Sequence, residues 1–280
     1  MTLQVSWALL MALLMPLLAH AAPMNADVGK PPDATASLEN AWQLLANGIS
    51  SQTPPFRRFR ISDPESPLFG VELCTYEVKN GFETLHLKDV RKYGNITSIY
   101  AQNIPKSASV AFTGGFFGYA EDGSFEPLGL AISEGRKINK KHSWTSGGIV
   151  QVRHNLAEII PIQRFSEKSD ILTAIQSKPL LVEAGQNGIR SSESARFDRI
   201  AIATTSDHQV MVIMVSTPTG KGASLAEFAS LIMRVKAKSG GSVSWALALD
   251  GGPGAHLMFG RTHCGHGEPN YVPNLLYLQP

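Results

Sequence analysis

Two glycine-rich turns are the segments of the sequence best suited to bind a ligand. They are residues 113–118 (TGGFFG) and residues 250–254 (DGGPG), and each follows an apolar run. Adjacent glycines let the backbone approach a ligand closely and can expose amide groups that bind anionic oxygens. If the two turns form one cleft, the predicted substrate-binding residues are Thr113, Gly114, Gly115, Phe116, Gly251 and Gly252. The alternative is that both turns are only bends at the ends of strands.

Short apolar runs predict the strands that must position these turns. The first turn follows a predicted strand at residues 109–112, and the second follows a predicted buried strand at residues 243–249. Asn80 and Gly81 lie between two strand-like runs and predict a β-hairpin. Further strands are predicted at residues 97–102, 148–152, 180–182, 200–204 and 210–216.

The clearest helix signal begins at Ser224, which can form a capping box with Glu227. Apolar residues at helical spacing follow, and they predict one buried face of this helix. Gly240 is the expected end of the helix, since glycine favours the conformation that terminates helices. A short amphipathic helix is also predicted at residues 38–48.

The composition favours a folded, strand-rich protein. The 280 residues are 43% hydrophobic and 17% charged with a net charge of +2, which excludes an acidic disordered chain and a polybasic nucleic-acid-binding protein. The 25 glycines and 17 prolines follow no fixed period and predict many turns between short strands. We therefore expect an α+β fold, a β-rich mixed-sheet domain with few helices, at residues 56–280. Residues 22–55 are expected to form a flexible leader that contains the short helix.

The N-terminal sequence predicts export. Residues 7–18 are almost wholly apolar and lead to small residues around Ala21, so residues 1–21 are typical of a signal peptide. The apolar run is shorter than the roughly 20 residues that cross a membrane, and no stable membrane anchor is expected after cleavage. The mature protein is therefore predicted to be periplasmic or secreted.

Cys74 and Cys264 are the only cysteines, and in an oxidising compartment they are expected to pair. The alternative is two separate thiols. A free Cys264 could join His256, His263 and His266 in a zinc site, which gives the hypothesis of a metal-dependent hydrolase. The preferred interpretation includes no metal and no other cofactor. The motifs of phosphate-loop ATPases, common serine hydrolases and zincin proteases do not occur in the sequence.

Several motifs together, in their order along the chain, resemble those of the phosphodiester glycosidase family. They are the first glycine-rich turn, residues 127–135 (PLGLAISEG), residues 176–182 (QSKPLLV), Arg199, the helix from Ser224 and residues 249–252 (LDGG). The similarity covers roughly residues 110–259. It implies a mixed α/β domain that hydrolyses the glycosidic bond of a sugar 1-phosphodiester. The implied partner is a small-molecule or envelope glycan substrate that carries a phosphodiester.

The resemblance also implies roles for three charged residues. Breaking the bond between C1 and the phosphate oxygen passes through an oxocarbenium-like transition state, which a carboxylate can stabilise or attack. Asp250 is the expected catalytic carboxylate, Arg199 the cation that binds the phosphate, and Glu126 the candidate second carboxylate. The alternatives are a turn-stabilising Asp250, an Arg199 paired with Asp198 at the surface, and a solvated Glu126.

Three positions depart from the pattern of the family. Members usually have Asn where this chain has Thr113, Thr or Ser where it has Ile200, and Ser where it has Gly254. These departures replace polar groups with a single hydroxyl. They leave a second hypothesis open, in which the chain is a non-catalytic envelope protein of the same fold that binds a glycan or phosphoglycan.

Overall fold

The structure is a computed structural model that describes residues 55–190, 193–237, 239–267 and 271–280. All of these residues belong to one compact unit of the chain, Asp33–Pro280. Strands dominate the described residues, which also contain two α-helices, and this confirms the β-rich α+β fold. The predicted signal peptide, leader and short helix at 38–48 lie outside the described residues. No helix in the described ranges is long and apolar enough to span a bilayer.

A seven-stranded antiparallel sheet carries the second glycine-rich turn. In pairing order its strands are β1 (Phe56–Arg60), β2 (Glu72–Lys79), β15 (Gln209–Ser216), β14 (Arg199–Thr205), β16 (Val243–Ala248), β12 (Leu180–Glu183) and β13 (Gln186–Asn187). Ala201 of β14 pairs with Ala248 of β16. Because the two strands are antiparallel, Arg199 at the start of β14 lies beside the residues that follow the end of β16.

Two five-stranded sheets and a small hairpin complete the strands of the described residues. One sheet has the order β10 (Leu156–Pro161), β9 (Gly148–Arg153), β11 (Thr173–Ser177), β7 (Ala131–Ser133) and β8 (Arg136–Asn139). The other has the order β18 (Thr262–Cys264), β17 (Leu257–Phe259), β4 (Val110–Thr113), β19 (Tyr271–Gln279) and β3 (Thr84–Tyr93). The hairpin joins β5 (Phe117–Tyr119) to β6 (Phe125–Pro127) and follows the first glycine-rich turn directly.

The seven-stranded sheet is buried on both faces. Side chains alternate between the two faces along each strand, and each face packs against a different core. Ala201 and Ala203 of β14 pack with helix α2 (Leu225–Arg234), whereas Ile200 and Ile202 pack with side chains of the two five-stranded sheets. Helix α1 (Ile96–Asn103) packs on the sheet that contains β4. The strands that carry the two glycine-rich turns, β4 and β16, are thus both supported by a packed core.

Helix α2 begins as the sequence predicts. The Ser224 hydroxyl accepts a hydrogen bond from the Glu227 N–H, and the Glu227 carboxylate accepts one from the Ser224 N–H, so the capping box is present. The helix ends at Arg234, several residues before the predicted end at Gly240. Lys236 forms an isolated β-bridge with Ser242 there, and the chain has already turned toward β16.

The predicted hairpin at Asn80 and Gly81 is wrong, because the strands before and after it join different sheets. The Asn80 N–H donates to the carbonyl of His208, which continues the pairing of β2 with β15. The Asn80 side chain donates to the Ala157 carbonyl and accepts from the Ala157 N–H, each at 2.9 Å. These contacts tie Asn80 to other strands, and β3 pairs with β19 instead of β2.

The predicted strand at residues 97–102 is also wrong, since these residues lie in helix α1. The side chain of Asn95 caps this helix by accepting a hydrogen bond from the Ser98 N–H. Ile96, Ile99 and Tyr100 are buried, and their spacing matches one face of a helix. The β-branched residues of this segment suggested a strand, but capping and burial favour the helix.

Cys74 of β2 and Cys264 of β18 form a disulfide, as the sequence predicts. The bond links the seven-stranded sheet to the sheet that contains β4. Cys264 therefore has no thiolate for the hypothetical zinc site. Within the described ranges, no three His, Cys, Asp or Glu side chains are grouped as metal ligands.

Candidate functional site

The two glycine-rich turns lie side by side at the ends of β4 and β16. The Asp250 N–H donates to the Gly114 carbonyl at 2.9 Å. The Thr113 hydroxyl donates to the Gly254 carbonyl and accepts a hydrogen bond from the His256 N–H at 3.0 Å. These bonds connect the turns directly, so any group held by one turn is close to the other.

Asn274 of β19 holds the first turn. Its Oδ1 accepts from the Gly115 N–H at 2.8 Å, and its Nδ2 donates to the Gly115 carbonyl at 3.3 Å. A Cβ on Gly114 would overlap the Asn274 Oδ1, so this close approach requires glycine. Sequence reasoning missed Asn274 because it contacts a turn 159 positions earlier. Only the pairing of β4 with β19 brings the two together.

The backbone amides of the four glycines are already bonded within the protein. The N–H groups of Gly114 and Gly115 donate to Asn274, and the Gly252 N–H donates to the Asp198 carbonyl at 2.8 Å. The Gly251 N–H bonds to the carboxylate of Asp250. These four amides shape the turns and, in this arrangement, are not free to bind an anion.

Asp250 is partly buried where the chain leaves β16, and its ionisation is strongly perturbed. Burial raises the pKa of Asp250 from an ordinary 3.8 to about 7, and the hydrogen bond from the Gly251 N–H opposes only part of that rise. No charged group contributes to the shift. A carboxyl group with a pKa near 7 can give up or accept a proton at neutral pH, as a general acid or base must.

Arg199 lines a cavity of about 240 Å³ beside the second turn. Its Nε and Nη2 donate to the carbonyls of Ala223 and Ala195, each at 3.1 Å, and its guanidinium lies 5.1 Å from the centre of the Phe197 ring. Burial lowers the pKa of Arg199 from its ordinary high value. The alternative ion pair with Asp198 does not form in the described residues, and the two bonds to backbone carbonyls fix the guanidinium at the cavity wall.

Lys178 brings a second cation to the same cavity, which Phe116 and Gly251 also line. The Lys178 ammonium lies 4.8 Å from the centre of the Trp144 ring, and the Trp144 and Phe116 rings meet edge to face at 6.4 Å. Two cations and aromatic rings can bind a phosphate and pack against an apolar ring face. Lys178 lay inside the 176–182 motif, but its type alone did not distinguish it from an ordinary surface lysine.

Glu126 is not brought to this cavity. It lies opposite Gly118 in the β5–β6 hairpin, and it is not among the residues that line the cavity. No hydrogen bond or ion pair joins it to Asp250 or Arg199 within the described ranges. Its assignment as a second catalytic carboxylate has no support from the contacts.

The three positions that depart from the family pattern differ in their surroundings. The Thr113 hydroxyl is used within the protein, as described above. Ile200 is buried and is one of the residues that line the cavity. A Cβ on Gly254 would lie 3.6 Å from the Oδ2 of Asp250, an ordinary contact, so a β-carbon fits there.

The model of the phosphodiester glycosidase family matches residues 106–279 of the chain. The chain therefore belongs to the phosphodiester glycosidase family. Among solved structures it is similar to the zebrafish N-acetylglucosamine-1-phosphodiester α-N-acetylglucosaminidase catalytic domain, auto-inhibited by its pro-peptide. The TM-score is 0.58 at 13% identity over 82% of this chain and 85% of that one.

A second similar structure is a putative exported protein from Burkholderia pseudomallei. The TM-score is 0.52 at 11% identity over 75% of this chain and 74% of the other. At these identities the likenesses establish the fold alone. A comparison with curated protein sequences gives no significant match.

Proposed function

We propose that the chain is an exported hydrolase that cleaves the glycosidic bond of a sugar 1-phosphodiester. The observation that carries the proposal is Asp250, a carboxyl group with a pKa of about 7 at the end of β16. Asp250 itself does not line the cavity with the two cations, but its chain neighbours Leu249 and Gly251 do. Membership of the family supports the substrate class. The predicted signal peptide at residues 1–21 supports a periplasmic or secreted location.

In this proposal the ionised Asp250 acts at C1 of the sugar, either as the nucleophile or as the base that activates a water. The bond between C1 and the phosphate oxygen breaks, and the leaving group departs as a phosphate monoester. Water supplies the hydroxyl on C1 and the proton that is released. Because a phosphate is a good leaving group, the reaction needs less help from a general acid than ordinary glycoside hydrolysis does.

Arg199 and Lys178 bind the non-bridging oxygens of the phosphate in this proposal. The charge on the phosphate grows as the bond to C1 breaks, so fixed cations stabilise the transition state more than the ground state. Arg199 is held by two backbone carbonyls and needs little reorganisation. Phe116 and Trp144 provide aromatic surface for the apolar face of the sugar.

A specific observation favours the second candidate, a binding protein of the same fold. The Thr113 hydroxyl is bonded to Gly254 and His256, and Ile200 has no polar side-chain atom. The polar side chains usual in the family are therefore replaced here by a hydroxyl that is bonded within the protein and by an apolar residue. A protein with this site could hold a phosphoglycan without completing the reaction.

The test is the release of free sugar from a panel of sugar 1-phosphodiesters, including those of N-acetylglucosamine and glucose. We expect release by the parent chain and a loss of about 100-fold or more in Asp250→Asn, the range for a general acid or base. Glu121→Gln is the matched control, because it removes an exposed carboxylate from the β5–β6 loop. Binding of the same compounds without release by the parent would refute the hydrolase and support the binding protein.

A further inference from the structure

A second cavity, of about 570 Å³, lies beside the turn that follows Asp250. Neighbouring residues of the same segments line the two cavities: Arg199 and Gly251 line the first, whereas Asp198 and Pro253 line the second. The two cavities are therefore neighbours that share these segments but are lined by different residues. The volume is within the range of small-ligand pockets, about 300–1,000 Å³.

Asp198 lines this cavity and has one carboxylate oxygen without a hydrogen-bond partner in the described residues. Its side chain is 1% exposed, and its carboxylate accepts hydrogen bonds from the backbone N–H groups of Thr217, at 3.0 Å from Oδ1, and Gly222. The other oxygen, Oδ2, is buried and has no hydrogen-bond partner in the described residues. Buried polar atoms without partners are rare in native proteins, because each loses its contact with water and gains nothing in return.

The other groups of the cavity show which ligand would suit it. Lys221 is exposed and forms no ion pair within the described ranges, while the second cation, Arg196, is already paired with Glu227. Thr219 contributes a hydroxyl group. Phe197, which is 45% exposed, and the prolines of the lining provide apolar surface. An acceptor for a hydroxyl proton, a cation and apolar surface together match a sugar that carries a negative charge.

Burial raises the pKa of Asp198, and the Thr217 N–H and the positive field of His266 oppose this only in part. Burial thus disfavours the charged form of this carboxyl group more than in an exposed aspartate. The Asp198 carboxyl group and Lys221 line the same cavity, so both can contact one ligand there.

We propose that this cavity is a second binding site, specific for an anionic saccharide. Oδ2 of Asp198 makes a hydrogen bond with a sugar hydroxyl, and Lys221 binds the phosphate or carboxylate group of the sugar. The residues that line this cavity differ from those that line the first, so binding here does not require hydrolysis at Asp250.

Calorimetric titration of the full chain with four probes tests the site: glucose 6-phosphate, glucuronate, glucose and inorganic phosphate. We expect at least one charged sugar to bind about tenfold or more tightly than glucose and phosphate, since a hydrogen bond to a charged group contributes that much. The two charged sugars distinguish a phosphate from a carboxylate ligand. Equal binding of all four probes, or no binding, would overturn the inference.

Variants locate the binding. Lys221→Met and Asp198→Asn should each weaken binding of the charged sugar about tenfold, whereas Lys178→Met, which alters the first cavity, should leave that binding unchanged. The reverse pattern would place the sugar in the first cavity and refute the second site. Asp198→Asn is used only if thermal melting shows that it folds. If it does not fold, the binding of the charged sugar by Lys221→Met and Thr219→Val tests the site instead. Hydrolysis by Lys221→Met, measured separately, shows whether the proposed function stands when this site fails.

Discussion

Replacing Asp250 with asparagine should stabilise the folded protein above neutral pH while it abolishes hydrolysis. The folded state raises the pKa of Asp250 from 3.8 to about 7, so it binds this proton more tightly than the unfolded chain does. Between these two values the unfolded state is ionised first, and the free energy of unfolding falls as the pH rises. One pKa unit corresponds to 1.36 kcal/mol, so the ionised carboxylate costs the fold on the order of 4 kcal/mol above pH 7.

Asparagine removes this cost because it stays uncharged. Compared with the parent, the free energy of unfolding of Asp250→Asn should therefore be similar near pH 4 and higher by about 4 kcal/mol at pH 8. Urea unfolding at both pH values measures the difference, and Glu121→Gln serves as the control for loss of an exposed carboxylate. A difference that is absent at pH 8, or that is the same at both pH values, would refute a buried carboxyl group with a raised pKa.

Three further predictions concern the turns and the disulfide. Gly114→Ala places a methyl group against the fixed side chain of Asn274, so it should lower the free energy of unfolding, measured in urea, by roughly 1–3 kcal/mol. The control Gly254→Ala, whose Cβ lies 3.6 Å from the Asp250 Oδ2, should unfold like the parent. Gly254→Ser adds a hydroxyl beside that carboxylate, so the pKa of Asp250 and the lower pH midpoint of activity should both fall; an unchanged midpoint would contradict this geometry. Replacing Cys74 and Cys264 with alanine removes a link between residues 190 positions apart, and it should cost roughly 3–5 kcal/mol of unfolding free energy in non-reducing urea.

Local signals predicted the elements whose structure is decided locally. The capping box fixed the start of α2 at Ser224, and a mostly apolar run identified β16 within one residue of its end. The hairpin prediction at Asn80 failed because pairing is a competition between distant partners. β2 is paired on both edges, with β1 and β15, and no edge is left for β3.

The sequence placed the two glycine-rich turns among the candidate residues, but it could not show what their glycines do. The amides that were expected to face an anion are bonded to Asn274, Asp198 and Asp250. Asn274 gave no signal, since a strand asparagine is common, and Lys178 belonged to the 176–182 motif without standing out from an ordinary exposed lysine. Their roles follow from the pairing of distant strands, which no local pattern encodes.

The position of β4 has a consequence for how the protein is made. β4 lies between β17 and β19, and its turn is held by Gly254 and Asn274, which come 141 and 159 positions later than their partners in the chain. Synthesis therefore delivers the first half of the cleft long before the second half exists. Such high contact order slows folding. The N-terminal segment predicts export. In a chain that crosses a membrane before it folds, the cleft would assemble only after translocation, when the full set of strands reaches the same compartment.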